Sequence, residues 1–580
     1  MKIIKMAIHN FRGLDFECDG VNDRTLFIGH NDAGKSNICS AIMKVLSPEY
    51  RRRPLFSSDS SFSNNQDISF FFTLDLQGLT VAQKSKLHAY IYHFYNESGE
   101  RYDFMDVRMV CKYNVDTMLY EDELFFGQRD IEELPIQLNR QNDLDKILSV
   151  VYIHATYDLA TEKKNYFNYK DIKKIDNQIA ISPGIKDSIK SLQDSVKDEA
   201  VFEDVRNDLD DMGGFEMIFD GMKFGLAPNI KIENIFNSLD ILNYDGDNQI
   251  DNIGDGKSKM LSTMLKFKTV DDDKSVILIV EEPENHLYVL LQKYYLSTLE
   301  RINPDQLLIT SHSPYIVDFE KINKIIKISK ICDENNCLMT KPYYFNVNSD
   351  DFKEFGYLIN TEISEMIYYD TVVLLEGYSE KYFYNLLSIK DKRFRDYLIK
   401  ERIGLYTIGG IAFETTKKLL TSLGIKVYIK TDNDITGIKN SENYRYTGLL
   451  RIYKYLSEEN KKKMLDVYSL ESEDSLKDFL TCEDGKRVID KVEENMDAVI
   501  RICQDDNVLL SNHHNGFEED FLNYLGMGGA DFEKEMKYLK SAKLMNLHEY
   551  ITENNIDIKI TENNKNSVLL GFVNVDEIFE

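Results

Sequence analysis

The chain has 580 residues, more than one hydrophobic core normally organises, so two or three domains are expected. Its 43% hydrophobic and 29% charged residues are typical of a globular protein, and no apolar run is long enough to cross a membrane. The formal charge of −28 argues against nonspecific coating of nucleic acid, because phosphate contacts require Lys and Arg, but it does not exclude a localised groove. Seven scattered cysteines and the lack of a signal-peptide pattern predict a reduced, cytoplasmic protein without membrane contact.

The first motif with a defined chemistry is GHNDAGKS at residues 29–36, which follows the apolar strand pattern Thr25–Ile28 and precedes a helical pattern at Ile38–Leu46. It fits the eight-residue phosphate-binding loop without a mismatch. In such a loop the glycines let backbone N–H groups surround the phosphates, the lysine reaches the β and γ oxygens, and the serine hydroxyl ligates Mg²⁺. The predicted nucleotide-binding residues in and after the loop are Asn31, Gly34, Lys35, Ser36 and Asn37.

Further along, alternating apolar residues at about 68–76 and 103–113 predict antiparallel strands. The charge-rich stretch at about 160–235 is predicted to be a mostly helical insertion and a dimerisation element. Strands alternating with helices at 275–330 predict a parallel sheet, and a second such series begins near 366. We therefore predict two domains, at residues 1–350 and 351–580.

Two motifs in the first of these domains suggest further nucleotide contacts. The buried-type strand VILIV at 276–280 ends in EEPE, so that Glu281 and Glu282 follow it directly. An acidic residue there can hold the Mg²⁺ shell, and the next one can orient the attacking water. The strand LLIT at 307–310 likewise leads to His312.

Two strands in the second domain each end in carboxylates. Glu376 follows the strand TVVLL at 371–375, with Ser379 as the predicted N-cap and Glu380 in the first turn of the next helix. Asp432 and Asp434 follow the strand IKVYIK at 425–430, and residues two apart lie on the same side of an extended chain. Carboxylates in this number suit Mg²⁺ or Mn²⁺.

These motifs resemble a known family. IHNFRG at 8–13, the phosphate-binding loop, EEPENHL at 281–287 and TSHSP at 310–314 are similar to the ABC-type ATPase heads of the RecF and SMC class. More narrowly, they resemble the OLD (overcoming lysogenization defect) family, which includes the nuclease subunits of Gabija anti-phage systems. The acid-bearing strands look like its Toprim domain. The expected α/β fold is an ABC-type ATPase head with a helical insertion, followed by a Toprim domain.

For the ATPase half, the resemblance implies that the phosphate loop binds ATP, Glu281 takes the Walker B position, Glu282 is the catalytic base and His312 is the switch histidine. Such heads work as dimers, in which a signature segment of one protomer closes on the ATP of the other. IGDGK at 253–257 is the candidate, but Asp255 replaces a common glycine and puts a negative charge near the γ-phosphate. Closure and the rate of hydrolysis are therefore left open.

For the Toprim half, the resemblance implies a further metal-binding glutamate after the strand pattern at 508–510, either Glu518, which we favour, or Glu519. It also implies a late lysine near the scissile phosphate, for which Lys543 and Lys540 are candidates. Two divalent ions require about four or five acids. The predicted metal ligands are Glu376, Glu380, Asp432, Asp434 and Glu518, with Ser36 in the nucleotide site; the predicted catalytic residues are Glu282, Glu376 and Lys543.

The sequence therefore predicts an ATP-regulated endonuclease that cuts double-stranded DNA with Mg²⁺ or Mn²⁺ in anti-phage defence. It is expected to form a homodimer or higher oligomer, and a helicase-like operon partner is left open. The alternative is an SMC- or RecF-like DNA-binding ATPase whose Toprim domain is a scaffold that does not cut. Basic runs at Arg51–Arg53 and Lys461–Lys463 either contact the DNA backbone or are simply solvated.

Overall fold

The computed structural model describes residues 1–61, 65–138, 142–155, 243–245, 248–250, 255–268, 273–317, 322–332, 338–346, 361–408, 413–438, 443–482, 492, 494–511, 516–528 and 530–579. The predicted insertion at about 160–235 lies outside these residues. Within them, no helix has both the length and the apolar character that a membrane crossing requires.

The strands are β1 (Lys2–Phe11), β2 (Leu14–Asp19), β3 (Arg24–Gly29), β4 (Ile68–Asp75), β5 (Tyr92–Tyr95), β6 (Arg101–Asn114), β7 (Leu119–Gln128), β8 (Glu132–Ile136), β9 (Leu148–Ile153), β10 (Asn243–Asp245), β11 (Asn248–Ile250), β12 (Ser275–Glu281), β13 (Gln306–Thr310), β14 (Lys324–Cys332), β15 (Leu338–Asn346), β16 (Thr371–Leu375), β17 (Ile403–Thr407), β18 (Lys426–Thr431), β19 (Ile435–Gly437), β20 (Tyr444–Tyr446), β21 (Thr481–Cys482) and β22 (Val508–Leu510).

The helices are α1 (Lys35–Leu46), α2 (Pro48–Arg51), α3 (Val81–Lys86), α4 (Asp255–Lys268), α5 (Val289–Ile302), α6 (Thr361–Met366), α7 (Tyr378–Lys390), α8 (Lys392–Lys400), α9 (Phe413–Ser422), α10 (Thr447–Tyr455), α11 (Glu458–Val467), α12 (Glu473–Phe479), α13 (Met496–Asp505), α14 (Phe517–Tyr524), α15 (Ala530–Glu553) and α16 (Val575–Phe579).

The chain divides into two compact units. The first comprises residues 1–4, 39–56 and 70–309, and the second comprises residues 5–38, 57–69 and 310–580.

The first unit contains both kinds of sheet that the sequence predicts. β6 pairs antiparallel with β5 and β7, and β8 continues antiparallel from β7. β12 instead pairs parallel with β9. Every residue of β12 is buried, which explains why its sequence is continuously apolar rather than alternating. The predicted strand patterns at 103–113 and 276–280 are thus confirmed.

The second unit contains two sheets that carry functional motifs. In one, β14 lies between β3, to which it is parallel, and β15, to which it is antiparallel. The other is a parallel sheet in the order β17-β16-β18-β22. Helices α7 and α9 connect its first three strands, as βαβ units require. The apolar face of α7 joins a core that includes Val373, Phe383, Phe521 and Leu569.

Candidate nuclease and nucleotide sites

The phosphate-binding loop has the backbone that its sequence predicts. β3 ends at Gly29 and α1 begins at Lys35. Gly34 has φ of +106°, and a Cβ atom there would lie 2.5 Å from Cδ2 of Leu14, so that glycine alone fits without displacing the hairpin beneath it. The N-terminus of α1 thus directs the positive end of the helix dipole towards the loop.

The side chains of this loop differ in their surroundings. The ammonium group of Lys35 is buried and donates to the carbonyls of Gly29 (3.0 Å) and His30 (2.9 Å). Ser36 and Asn31 are exposed. The amide of Asn37 donates to the carbonyl of Arg12 at 2.8 Å, so this predicted nucleotide contact also anchors the turn after β1.

His312 lies in the second unit, two residues after the last residue of β13. The backbone N–H of the preceding Ser311 donates to the carbonyl of Phe27 at 3.1 Å. This bond holds the residue before His312 against β3, the strand that leads into the phosphate-binding loop. The histidine itself is half-buried.

Glu281 and Glu282 belong to the first unit. Glu281 is buried and accepts a hydrogen bond of 2.6 Å from the hydroxyl of Tyr152. Glu282 has φ of +42°, a left-handed conformation that is uncommon for a residue with a Cβ atom, and strain of this kind accumulates at functional sites. Its carbonyl accepts from the ammonium group of Lys259 at 2.6 Å, and burial lowers the pKa of Lys259 to about 8.

Only part of the predicted signature segment is described. Residues 253 and 254 lie outside the described ranges, and α4 begins at Asp255. A Cβ atom on Gly256 would lie 2.8 Å from Cδ2 of Leu287 and 2.9 Å from the carbonyl oxygen of His286. Glycine at this position therefore lets the start of α4 approach the turn after β12.

The candidate nuclease site lies at the carboxyl ends of the parallel strands in the second unit. Glu376, Asp432 and Asp434 each offer a carboxylate oxygen, and these oxygens all lie within 4.8 Å of one another. The register explains the cluster, because Leu375 of β16 lies opposite Lys430 of β18 and the acids follow directly. Acids far apart in the sequence thus converge as predicted.

Glu376 is oriented by its neighbours. Its Oε2 atom accepts hydrogen bonds from the hydroxyl of Thr431 (2.8 Å) and from the backbone N–H of Asp432 (3.1 Å). The guanidinium group of Arg451 pairs with Oε1 of Glu376 and also with Oδ2 of Asp434, at 3.3 Å. Arg451 was missed by sequence reasoning, because a lone arginine on a helix carries no local signal.

Glu380 lies beneath this cluster. Its Oε2 atom accepts from the backbone N–H of Gly377 at 2.8 Å, which makes Gly377 the N-cap of α7. The prediction that Ser379 is the N-cap is therefore wrong, since Ser379 already lies inside the helix. Burial raises the pKa of Glu380 to about 8, although the charge of Lys430 opposes this rise.

Asp432 has the features of a metal ligand in its ion-free state. Burial, with the charges of Glu376, Asp434 and Glu518, raises its pKa to about 6 against the opposing effect of Lys430. Among the residues that the structure describes, Oδ1 of Asp432 and Oε1 of Glu380 are buried without a hydrogen-bond partner. Buried oxygens of this kind are ordinarily satisfied, so they fit a divalent cation.

The loop after β22 brings the last predicted acid close to the cluster. Gly516 has φ of +73°, and a Cβ atom there would lie 2.8 Å from the carboxylate of Asp432. Glu518 is buried on the next turn and its charge reaches Asp432, whereas Glu519 is partly exposed. This difference supports the choice of Glu518.

A buried ion pair supports the floor of the site. Lys430 donates to Oδ2 of Asp520 (2.9 Å) and to the hydroxyl of Ser511 (2.6 Å), and Ser511 also donates to Asp520 (2.6 Å). The Lys430 and Asp520 side chains are 0% and 1% exposed. Although burial disfavours its charge, the nearby carboxylates raise the pKa of Lys430. A lysine at the end of an apolar strand was the sequence signal for this pair, and it was missed.

The candidate lysines lie on α15. Lys543 is exposed and has φ of +36° at a break in the helix, whereas Lys540 lies on regular helix before the break.

Residues of both predicted basic runs form ion pairs with acidic side chains. Arg51 forms a buried ion pair of 3.0 Å with Asp145, so this residue does not reach DNA. Lys461 pairs with Glu458 (2.8 Å) and Lys463 with Glu459 (2.8 Å).

Comparison with known families agrees with this geometry. Residues 1–212 match the model described as an AAA ATPase domain, and residues 367–434 match the model described as an overcoming lysogenization defect protein-like TOPRIM domain. The chain therefore joins an ATPase domain, which implies nucleotide binding, to an OLD-like TOPRIM domain, which implies a divalent metal. This confirms the predicted fold class.

The chain is similar to Endonuclease GajA of Bacillus cereus (strain VD045), with 25% identity over 96% of each chain. The predicted resemblance to the OLD family is thereby confirmed.

Solved structures of SMC heads are weaker matches. An SMC head bound to the C-terminal winged-helix domain of ScpA has a TM-score of 0.36 and 13% identity, and covers 60% of this chain and 99% of its own. The SMC head domain from Thermotoga maritima has a TM-score of 0.29 and 14% identity, and covers 59% of this chain and 99% of its own. Likeness at this level supports no conclusion.

Proposed function

We propose that this protein is an ATP-regulated, divalent-metal-dependent DNA endonuclease of bacterial anti-phage defence. The observation that carries the proposal is the convergence of Glu376, Asp432 and Asp434 at one sheet edge. The name of the relative, an endonuclease, and the OLD-like TOPRIM match support it.

The proposed metal site uses five acids around Mg²⁺ or Mn²⁺, with two ions as the expected number. When bound, such ions supply an activated water and stabilise the leaving oxygen. Glu376 is held in ligand orientation by Thr431, and one oxygen each of Asp432 and Glu380 has no hydrogen-bond partner in the part of the chain that the structure describes. The proposed ligands are Glu376, Glu380, Asp432, Asp434 and Glu518, and Lys543 is proposed to contact the scissile phosphate.

In the ATPase half, we assign ATP phosphate binding to the loop residues. The supporting roles are assigned by resemblance to the family. Glu281 is the proposed Mg²⁺-shell ligand, Glu282 the base and His312 the γ-phosphate sensor. The proposed loop contacts are Asn31, Gly34, Lys35, Ser36 and Asn37. The domain limits 1–350 and 351–580 stay a proposal too.

The proposed substrate is double-stranded DNA, cut by a homodimer or higher oligomer in the cytoplasm. A helicase-like operon partner is part of the proposal as an optional component. The net charge of −28 limits nonspecific DNA contacts, so a localised basic groove is expected to carry DNA binding, and binding is expected to weaken as salt rises.

Plasmid cleavage tests this proposal. Supercoiled plasmid should be cut when Mg²⁺ or Mn²⁺ is added and should stay intact in EDTA. If purified protein binds DNA and hydrolyses ATP but shows no metal-dependent cutting, the Toprim domain is a scaffold and the nuclease proposal is wrong.

Replacing Lys35 by alanine is expected to weaken ATP binding about 100-fold. A hydrogen bond to a charged group contributes up to about 3 kcal/mol, and about 1.4 kcal/mol corresponds to a factor of ten. Isothermal titration with a non-hydrolysable ATP analogue measures the change. Lys146→Ala removes an exposed lysine elsewhere and should bind as wild type does. Unchanged affinity in the Lys35 variant would show that the nucleotide site is misplaced.

A further inference from the structure

Arg451 holds the same carboxylate oxygens that a metal ion needs. One arm of its guanidinium group pairs with Oε1 of Glu376 and the other with Oδ2 of Asp434. The second oxygen of Glu376 is already committed to Thr431 and Asp432. An ion that takes Glu376 as a ligand through Oε1 therefore competes with the arginine for that oxygen.

The helix that carries Arg451 is fixed against the metal-binding loop. The backbone N–H of Gly448 and the hydroxyl of Thr447 both donate to the carbonyl of Asp434, at 2.9 and 3.1 Å. A Cβ atom on Gly448 would lie within 2.7–2.9 Å of the backbone of Asn433 and Asp434. The start of α10 thus packs directly on the loop. Arg451 follows one turn later on the same helix.

We infer that Arg451 is a positioning residue that acts as an internal competitor of the first metal ion. It relieves repulsion among the carboxylates and holds Glu376 and Asp434 in place until the ion binds. This inference rests on the proposed metal site. Removing the arginine takes away a competitor and leaves the repulsion among the carboxylates unrelieved; both effects favour metal binding and are expected to outweigh the loss of positioning.

The test is Mn²⁺ titration of DNA-free, full-length protein by calorimetry. Arg451→Gln is expected to bind Mn²⁺ on the order of tenfold more tightly, because the ion no longer competes with a cation for the carboxylate oxygens. Its melting temperature without metal should fall, and saturating Mn²⁺ should restore it to the wild-type value. Arg451→Lys keeps the charge without the two-armed contact and should be intermediate.

Arg393→Gln is the matched control, because Arg393 pairs with Asp391 outside the site. It should bind Mn²⁺ as wild type does. Wild-type or weaker affinity in Arg451→Gln would overturn the inference. If no form of the protein binds Mn²⁺, the proposed metal site itself is wrong. If Arg451→Gln does not fold without metal, the Arg451→Lys variant decides, and wild-type Mn²⁺ affinity in that variant would overturn the inference about Arg451.

A second, independent observation links the phosphate-binding loop to the nuclease sheet. His30 lies in the loop, and its Nε2 atom donates to Oδ1 of Asp370 at 2.8 Å. Asp370 directly precedes β16, the strand that ends at Glu376. The carbonyl of His30 accepts from Lys35, the lysine that is predicted to contact phosphate.

Asp370 is also tied to its neighbours in the sheet. Its carbonyl accepts from the backbone N–H of Lys426 on β18 (2.9 Å), and its carboxylate pairs with Arg402 (3.2 Å) before β17. On the side of the phosphate-binding loop, Lys327 of β14 donates to the carbonyl of Tyr369 at 2.6 Å. A shift at Asp370 would therefore reach the strands that carry the acids.

The geometry points to His30 and Asp370 as the relay through which nucleotide binding affects the nuclease site. Because the lysine proposed to contact phosphate also holds the carbonyl of His30, nucleotide binding changes the surroundings of the residue whose imidazole contacts Asp370. This relay deepens the proposed function, because it specifies how ATP regulates cutting. The contact between His30 and Asp370 is partly exposed, so its contribution to stability is small.

Asp370→Ala tests the relay in two ways. It should bind ATP with wild-type affinity, yet the ratio of plasmid cutting rates with and without ATP should fall to within about twofold of one, against typical couplings of about 5- to 150-fold. In wild type, ATP should also change hydrogen exchange of β16 amides, and this change should vanish in the variant. Asp370→Asn, which still accepts from His30, should keep part of both effects.

Asp396→Ala, an exposed aspartate on α8, is the matched control and should respond to ATP as wild type does. If ATP changes the cutting rate of Asp370→Ala as much as that of the wild type, the relay is overturned. It is also overturned if ATP does not affect the wild-type protein. If no form cuts DNA, the proposed function fails, and the hydrogen-exchange comparison still decides the relay.

Discussion

Replacing Asp432 by alanine is expected to reduce metal-dependent DNA cutting by about 1,000-fold or more. Bound metal contributes several kcal/mol to the stabilisation of transition-state charge, and about 1.4 kcal/mol corresponds to a factor of ten. Asp432 stands at the centre of the cluster, between the loop at Gly516 and Glu376, and has a buried oxygen available for an ion. Initial rates of plasmid nicking with Mg²⁺ or Mn²⁺ measure the effect.

Two further measurements separate loss of chemistry from loss of structure. Calorimetry with Mn²⁺ should show weakened metal binding in Asp432→Ala, while its melting temperature without metal should equal or exceed the wild-type value, because one repelling charge is gone. Asp396→Ala should cut at the wild-type rate. Equal cutting by Asp432→Ala and wild type would contradict the nuclease assignment.

Replacing Lys430 by methionine is expected to lower the free energy of unfolding of the second unit by about 3–5 kcal/mol. The change leaves Asp520 buried without its cation, while Ser511 continues to donate to it. Urea denaturation in EDTA, read together with hydrogen exchange of β18 amides, measures the loss.

The same strand provides the control. Lys426→Met removes an exposed lysine from β18 and should change stability by less than about 0.5 kcal/mol. The double variant Lys430→Met, Asp520→Asn should recover part of the loss, since a neutral amide costs less to bury than an unpaired carboxylate. If Lys430→Met is as stable as Lys426→Met, the ion pair does not support the site.

Local patterns determined much of this protein. The phosphate-binding loop, the buried strand before Glu281 and the strands before Glu376 and Asp432 were all predicted, because strand periodicity and loop chemistry are written in consecutive residues. That the acids of two parallel strands meet also followed, since such strands end at a common edge. The N-cap of α7 was misplaced because the capping contact comes from Glu380, three residues further on, and not from a side chain at the cap.

The tertiary structure alone decided which charged residues complete the site. Arg451 lies 75 residues from Glu376, Asp520 lies 90 residues from Lys430, and Asp370 lies 340 residues from His30. Each of these contacts depends on how strands and helices pack after the chain has folded, and no local pattern specifies the partner of a single charged side chain. The sequence by itself therefore determined where carboxylates and phosphate contacts are placed, and the fold decided which cations balance them.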